Sequence, residues 1–134
     1  MAEKSNMSIQ KNILMLLVGL TATIYANAEE WKTCKVGNSL ASQRDLAIAF
    51  GKIDKSFSFF KKTDFASITI FFDGVTWRTA DLIHTGRALF GDGKPYLGYA
   101  SRNNTMIVQE FENSNVMIVT LRGDVDFTMF AECK

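Results

Sequence analysis

The sequence predicts an all-β fold: a small antiparallel β-barrel or sandwich of about eight or nine strands, with its termini joined by a disulfide. Three observations predict it. Short β-rich runs recur at roughly ten-residue spacing, separated by turn residues. Asp73-Gly74 lies between two such runs, and a two-residue Asp-Gly loop is a strong hairpin signal. Cys34 and Cys133, the two cysteines of the chain, bracket almost all of the predicted strands.

The first 28 residues read as a secretory signal peptide. Lys4 and Lys11 precede the apolar run Ile13–Leu20, which is too short to span a bilayer, and Ala26-Asn27-Ala28 fits a small-x-small cleavage site. Cleavage there leaves a single domain, 29–134, with no membrane span and a periplasmic or secreted location. Removing Lys4, Lys11 and Glu3 from 15 basic and 14 acidic residues leaves thirteen of each. That balance offers no global field to attract nucleic acid or anionic lipid.

An even cysteine count in an exported domain of this size favours a Cys34–Cys133 disulfide. Closing so long a loop is worth about 4–5 kcal/mol on the chain-entropy model. Two thiols without nearby histidine make a poor metal site, so neither metal nor cofactor is expected.

In chain order, Trp31–Val36 alternates as a first strand ending at Gly37-Asn38. Residues 39–50 are ambiguous. Ser39 could cap a helix that Gly51 ends, yet Leu46, Ile48 and Phe50 alternate with small residues, and the reading leans to a strand from Asp45. Lys55–Lys61 is an alternating strand, and the Lys61-Lys62 pair reads as its solvated end. The hairpin follows, with Phe72 facing Val75, Phe71 facing Thr76 and Ile70 facing Trp77. One face then carries Ile68, Ile70, Phe72, Val75 and Trp77. Its second strand continues through His84, Thr85-Gly86 breaks the run, and Arg87–Phe90 resumes it briefly.

Gly91–Pro95 is a turn, and Tyr96–Ser101 is a strand whose central Gly98 signals a bulge or a close backbone approach. Met106–Glu112 and Val116–Leu121 form a second hairpin about Asn113-Ser-Asn115. With Asn115 left-handed, Phe111 faces Met117, and Ile107, Phe111, Met117, Val119 and Leu121 point inward. The last strand places Val125, Phe127, Met129, Ala131 and Cys133 on one face.

Little in this chain carries catalytic chemistry. His84 is the one histidine and has no evident nucleophile or ligand partners, and the turn aspartates Asp73, Asp92 and Asp124 sit beside glycines for backbone reasons. Arg122-Gly-Asp124 spells an adhesion tripeptide where a turn expects Gly-Asp anyway, and Asn103-Asn-Thr105 matches a glycosylation acceptor. The chain is expected to be a binder and not an enzyme.

One stretch resembles a known family. Thr85-Gly-Arg-Ala-Leu-Phe-Gly-Asp-Gly93 followed by Tyr99-Ala-Ser-Arg-Asn-Asn-Thr105 is similar to the periplasmic and membrane-bound inhibitors of c-type lysozyme, small exported barrels with an early and a late cysteine. In that family a serine and a lysine enter the lysozyme cleft and contact its catalytic carboxylates. The resemblance places Thr85 at the serine and Arg102 at the lysine, with Arg87 and Tyr99 as neighbours and c-type lysozyme as the implied partner. Asn103 stands where the family has glycine. Two other classes stand beside this expectation. One is a lipocalin-like barrel holding a small apolar ligand among Phe57, Phe59, Phe72, Trp77 and Phe111. The other is an envelope structural or host-interaction protein.

Overall fold

A computed structural model of the chain describes residues 7–8, 10–11, 29–123 and 126–134. Apart from a two-residue antiparallel pairing of Met7–Ser8 with Gln10–Lys11, the segment read as a signal peptide lies outside the described residues. Among the described residues no helix is long and apolar enough to cross a membrane.

Eight strands close an antiparallel barrel: β1 (Glu30–Ala41), β2 (Lys55–Lys61), β3 (Ala66–Phe72), β4 (Val75–Leu89), β5 (Pro95–Ala100), β6 (Met106–Phe111), β7 (Val116–Leu121) and β8 (Phe127–Cys133). Each pairs with the next in sequence, and β8 returns to pair with β1. Closure gives every strand two neighbours. At the seam Cys133 lies directly opposite Cys34, and their sulfurs are bonded at 2.00 Å. The inward faces of the eight strands meet in one apolar core. Phe57, Phe59, Ile68, Ile70, Tyr99, Val108, Val119 and Met129 are among the side chains that fill it. Phe127, Met129, Ala131 and Cys133 share the inner face of β8 as their alternation predicts, while Val125 lies outside the described residues.

Several sequence expectations are corrected. Residues 44–51 form a helix, α1 (Arg44–Gly51), not a strand. Leu46, Phe50 and Ile53 turn inward at helical spacing, leaving Ile48 in solvent, whereas a strand would have buried Ile48 with its neighbours. Ser39 does not cap this helix. It belongs to β1, which runs past Gly37-Asn38 to Ala41. Phe50 plugs one end of the barrel against Phe127, Phe72 and Trp77. The Lys55 ammonium donates to the carbonyl oxygens of Phe50 and of Ile53 (2.7 Å), satisfying α1's last turn. Burial holds that ammonium below its ordinary pKa, partly offset by Asp54 and Asp73.

The Asp73-Gly74 turn forms as expected, with both residues left-handed (φ 51° and 80°) and Phe72 opposite Val75. Ile70, however, faces Arg78, because Trp77 is an extra residue in a bulge. The bulge lets the indole stack on Phe72 at 4.4 Å, and it leaves Val75 at 69% exposure. Thr85-Gly86 interrupts the pairing without dividing the strand in two. It is a second bulge through which β4 continues to Leu89.

The second hairpin is shifted by one residue from the expected register. Glu110 faces Met117 and Val108 faces Val119, and Asn113, not Asn115, is the left-handed residue (φ 63°). A four-residue loop thus replaces the expected three. One step of slip exchanges the two faces of a strand. Met106, Val108 and Glu110 therefore point inward, while Phe111 packs on the outer wall against Phe90 and Tyr96.

Candidate functional site

The residues singled out in the sequence lie along β4, β5 and the turn that follows. Thr85 is the bulged residue of β4 and stands directly on Gly98 of β5. A Cβ at Gly98 would meet Thr85 Oγ1 at 2.4 Å, which is the close approach the central glycine signalled. Gly86, at φ 111°, allows the bulge. Arg87 is exposed, and its Nε donates to Glu112 Oε2 at 2.7 Å.

Arg102 occupies the turn between β5 and β6, four residues beyond Gly98, so the structure does not bring it beside Thr85. It is exposed, and among the described residues its guanidinium has no acidic partner. The turn beneath it is tightly held. Ser101 N donates to Met106 O (2.9 Å), and Met106 N donates to Ser101 Oγ (3.0 Å). Asn103 Oδ1 accepts from Ser101 Oγ (3.0 Å), Thr105 N (3.2 Å) and Thr105 Oγ1 (2.7 Å). Asn103 serves here as a turn-former through its side-chain carbonyl, a role the glycine of the lysozyme-inhibitor pattern could not fill. His84 is exposed, with its Nε2 3.2 Å from the Lys62 carbonyl oxygen and its ring edge-on to Tyr99 at 4.7 Å.

Tyr99 is fully buried, so it reaches the site from inside the barrel. Its hydroxyl donates to Glu110 Oε1 at 2.7 Å. Glu110 also receives Lys32 Nζ at 2.5 Å and Lys61 Nζ at 2.8 Å, and Lys61 reaches Glu30 at 3.2 Å. This cluster fills the barrel end opposite α1, below a cleft of about 420 Å³ lined in part by Glu30, Lys61, His84 and Tyr99. Lys61 is therefore not the solvated strand end expected of it.

Burial pushes the Glu110 carboxyl up, but hydrogen bonds from Lys32, Lys61 and Tyr99 outweigh it and hold the group below the usual carboxylate range. Burial acts downward on Lys61, and Glu110 and Glu30 reverse it to a net rise. Tyr99 is raised by burial first, then by its bond to the Glu110 carboxylate.

The sequence reading missed this cluster. Its legible signal was parity: Lys32 is two residues before Cys34 and Lys61 two after Phe59, so both share the inner face of their strands.

Among the described residues no group of three or more histidine, cysteine or acidic side chains could hold a metal ion. Compared with known proteins, the chain matches no family model, no curated protein and no solved structure.

Proposed function

We propose that the protein is an exported binding module that offers the turn after β5, with the bulged ridge of β4, to a carboxylate-lined enzyme cleft of the c-type lysozyme kind. One observation carries this reading. Arg102 projects, without an acidic partner among the described residues, from a turn that Ser101 and Asn103 hold in place. A guanidinium pre-set on a rigid turn can engage a carboxylate bidentately without first losing loop entropy. Thr85 adds a hydroxyl donor on a strand whose bulge turns it outward. Arg87 is already paired, and Tyr99 acts as an internal anchor for β5. The placement of the aromatic side chains favours surface recognition over a lipocalin-like ligand, because Phe57 and Phe59 are buried in the core cluster and Phe111 lies on the outer wall.

The test is inhibition of c-type lysozyme by the oxidised protein on a cell-wall substrate. Dose-dependent inhibition is expected, weakened at least about tenfold by Arg102→Glu, since reversing a charge that faces carboxylates costs more than losing it. Absence of inhibition by the folded protein at large molar excess would refute the proposal.

A further inference from the structure

Every strand of the barrel has two neighbours, but β4 outruns one of them. Its register with β3 ends at Leu82, opposite Ala66, while its register with β5 runs on to Leu89. From Ile83 to Leu89, one side of β4 pairs with β5, and among the described residues no strand pairs with the other. Every residue of this run is exposed, whichever face it belongs to.

Hydrogen bonds at the end of the hairpin fix which backbone groups face the open side. Phe90 N donates to Lys94 O (2.8 Å), and Glu112 N donates to Pro95 O (3.1 Å). Pro95 therefore turns its carbonyl towards β6, and Leu89, directly opposite it, sits in a pair that exchanges no bonds. The N–H and C=O of Leu89 point away from β5, and those of Arg87, two residues back, do likewise. An open edge templates another strand unless a proline, a bulge or a charge guards it. The bulge at Thr85-Gly86 ends the usable edge on one side, and Arg87–Leu89 contains no proline. Its one charge, Arg87, is drawn off the edge onto Glu112 at 2.7 Å.

We propose that this edge pairs antiparallel with the same edge of a second copy of the chain, about a two-fold axis at Ala88. An isologous contact of this kind needs one self-complementary patch, and the residues supply it. With Ala88 facing the partner's Ala88, Arg87 lies opposite the partner's Leu89, and Leu89 opposite the partner's Arg87. Both outward residues then exchange their N–H and C=O groups. Centring on Arg87 would set two guanidiniums face to face, which opposes pairing. Centring on Leu89 would set Arg87 opposite the partner's Gly91, which lies beyond the strand.

Side chains agree with the Ala88 register. Small methyl groups suit the closely spaced, non-bonded pair at the axis. Leu89, 65% exposed, gains the aliphatic stem of the partner's Arg87. Phe90, 40% exposed, comes opposite the partner's Gly86, where the position of a Cβ has no atom within 4 Å. The two Arg87 side chains become diagonal neighbours, and each keeps its own Glu112. Residues 29–134 carry equal numbers of basic and acidic side chains, so no net field holds two copies apart.

Sedimentation velocity of the oxidised protein tests this. The interface is small, so a weak dimer is expected, present at about 100 μM and dissociated at about 1 μM. Ala88→Lys sets like charges face to face at the axis and should leave a monomer at every concentration, with the circular dichroism spectrum unchanged. Ala88→Cys reads the register itself. Cα atoms about 4.5 Å apart lie within disulfide range, so air oxidation should cross-link two chains at least about tenfold faster than in Val75→Cys. Val75 is as exposed, at 69%, but stands at the far end of the same strand. The proposal is overturned if the parent stays monomeric at about 100 μM, if Ala88→Lys associates like the parent, or if Val75→Cys cross-links as fast as Ala88→Cys. Self-association is read without lysozyme, so it stands or falls apart from inhibition.

Discussion

Glu110 is the residue on which the polar end of the barrel depends. It is 4% exposed and compensates two lysines while accepting the Tyr99 hydroxyl. Removing one member of such a group leaves the others buried without compensation, which costs more than the intact group contributes. Glu110→Gln is expected to destabilise the barrel by about 3 kcal/mol, at the low end for a broken buried pair because both lysines keep some access to water. Urea unfolding measures it, and an unchanged midpoint would show the lysines to be fully hydrated. Acid should act in the same direction. A carboxyl whose folded pKa is lowered contributes stability that is present above its unfolded pKa, about 4.3, and is lost as pH falls through the folded value. The parent should therefore lose stability below about pH 4.5 more steeply than Glu110→Gln. Lys61, with its pKa raised, contributes in the opposite sense. Its share is complete below the unfolded lysine pKa and fades as pH rises through the folded value.

Among the elements, β4 shows most clearly what a strand pattern reveals and what it hides. Its type and its Asp73-Gly74 turn were legible, because a left-handed pair is a local property of those two residues. Its bulges were not, since an extra residue is fixed by contacts from elsewhere: Phe72 stacking on Trp77, and Gly98 making room for Thr85. The same holds for α1. Alternation and helical spacing both fit residues 46–50, and Phe50 settles the matter by reaching Phe72, Trp77 and Phe127, which come from distant strands. In β6 apolar residues occupy both parities, so loop length alone decided the register, and through it whether Glu110 or Phe111 entered the core. The site divided along the same line. Thr85 and Arg102 could be named from local sequence, whereas the Glu110 cluster required knowing which strands meet. The Thr85–Gly98 contact gives a direct test of the second bulge. Gly98→Ala should destabilise by about 1–3 kcal/mol, as overpacking does, because its methyl would fall on Thr85 Oγ1. Thr85→Ala in the same chain should recover most of that loss. A double variant no better than Gly98→Ala would mean that the glycine answers to backbone geometry instead.

For the whole molecule the deciding feature is the seam between β8 and β1. Every other strand pairs with its sequence neighbour, through turns of a few residues except where segment 42–54 carries α1, so the entropy of bringing it home is small. The seam joins residues 99 apart and completes the barrel. Without it β1 and β8 would each expose a full edge, the apolar inner face would open, and the polar end would lose Lys32 from its place beside Glu110. The Cys34–Cys133 bond carries that closure cost in advance, by holding the two ends together in the unfolded chain as well. On the chain-entropy model this is worth about 4.7 kcal/mol for a loop of this length, a large share of the 5–15 kcal/mol by which domains are ordinarily stable. Replacing both cysteines by alanine should therefore lower the urea midpoint steeply, and the reduced parent should behave like the double variant. Both sulfurs are buried, so reductant should act on the native protein only as fast as the seam opens, and the rate of thiol release should rise with denaturant well below the unfolding midpoint. Thiol release independent of denaturant would mean that the seam frays on its own while the rest of the barrel stays closed. In that case the hydrogen bonds between Thr33 and Lys134 would be the first to go.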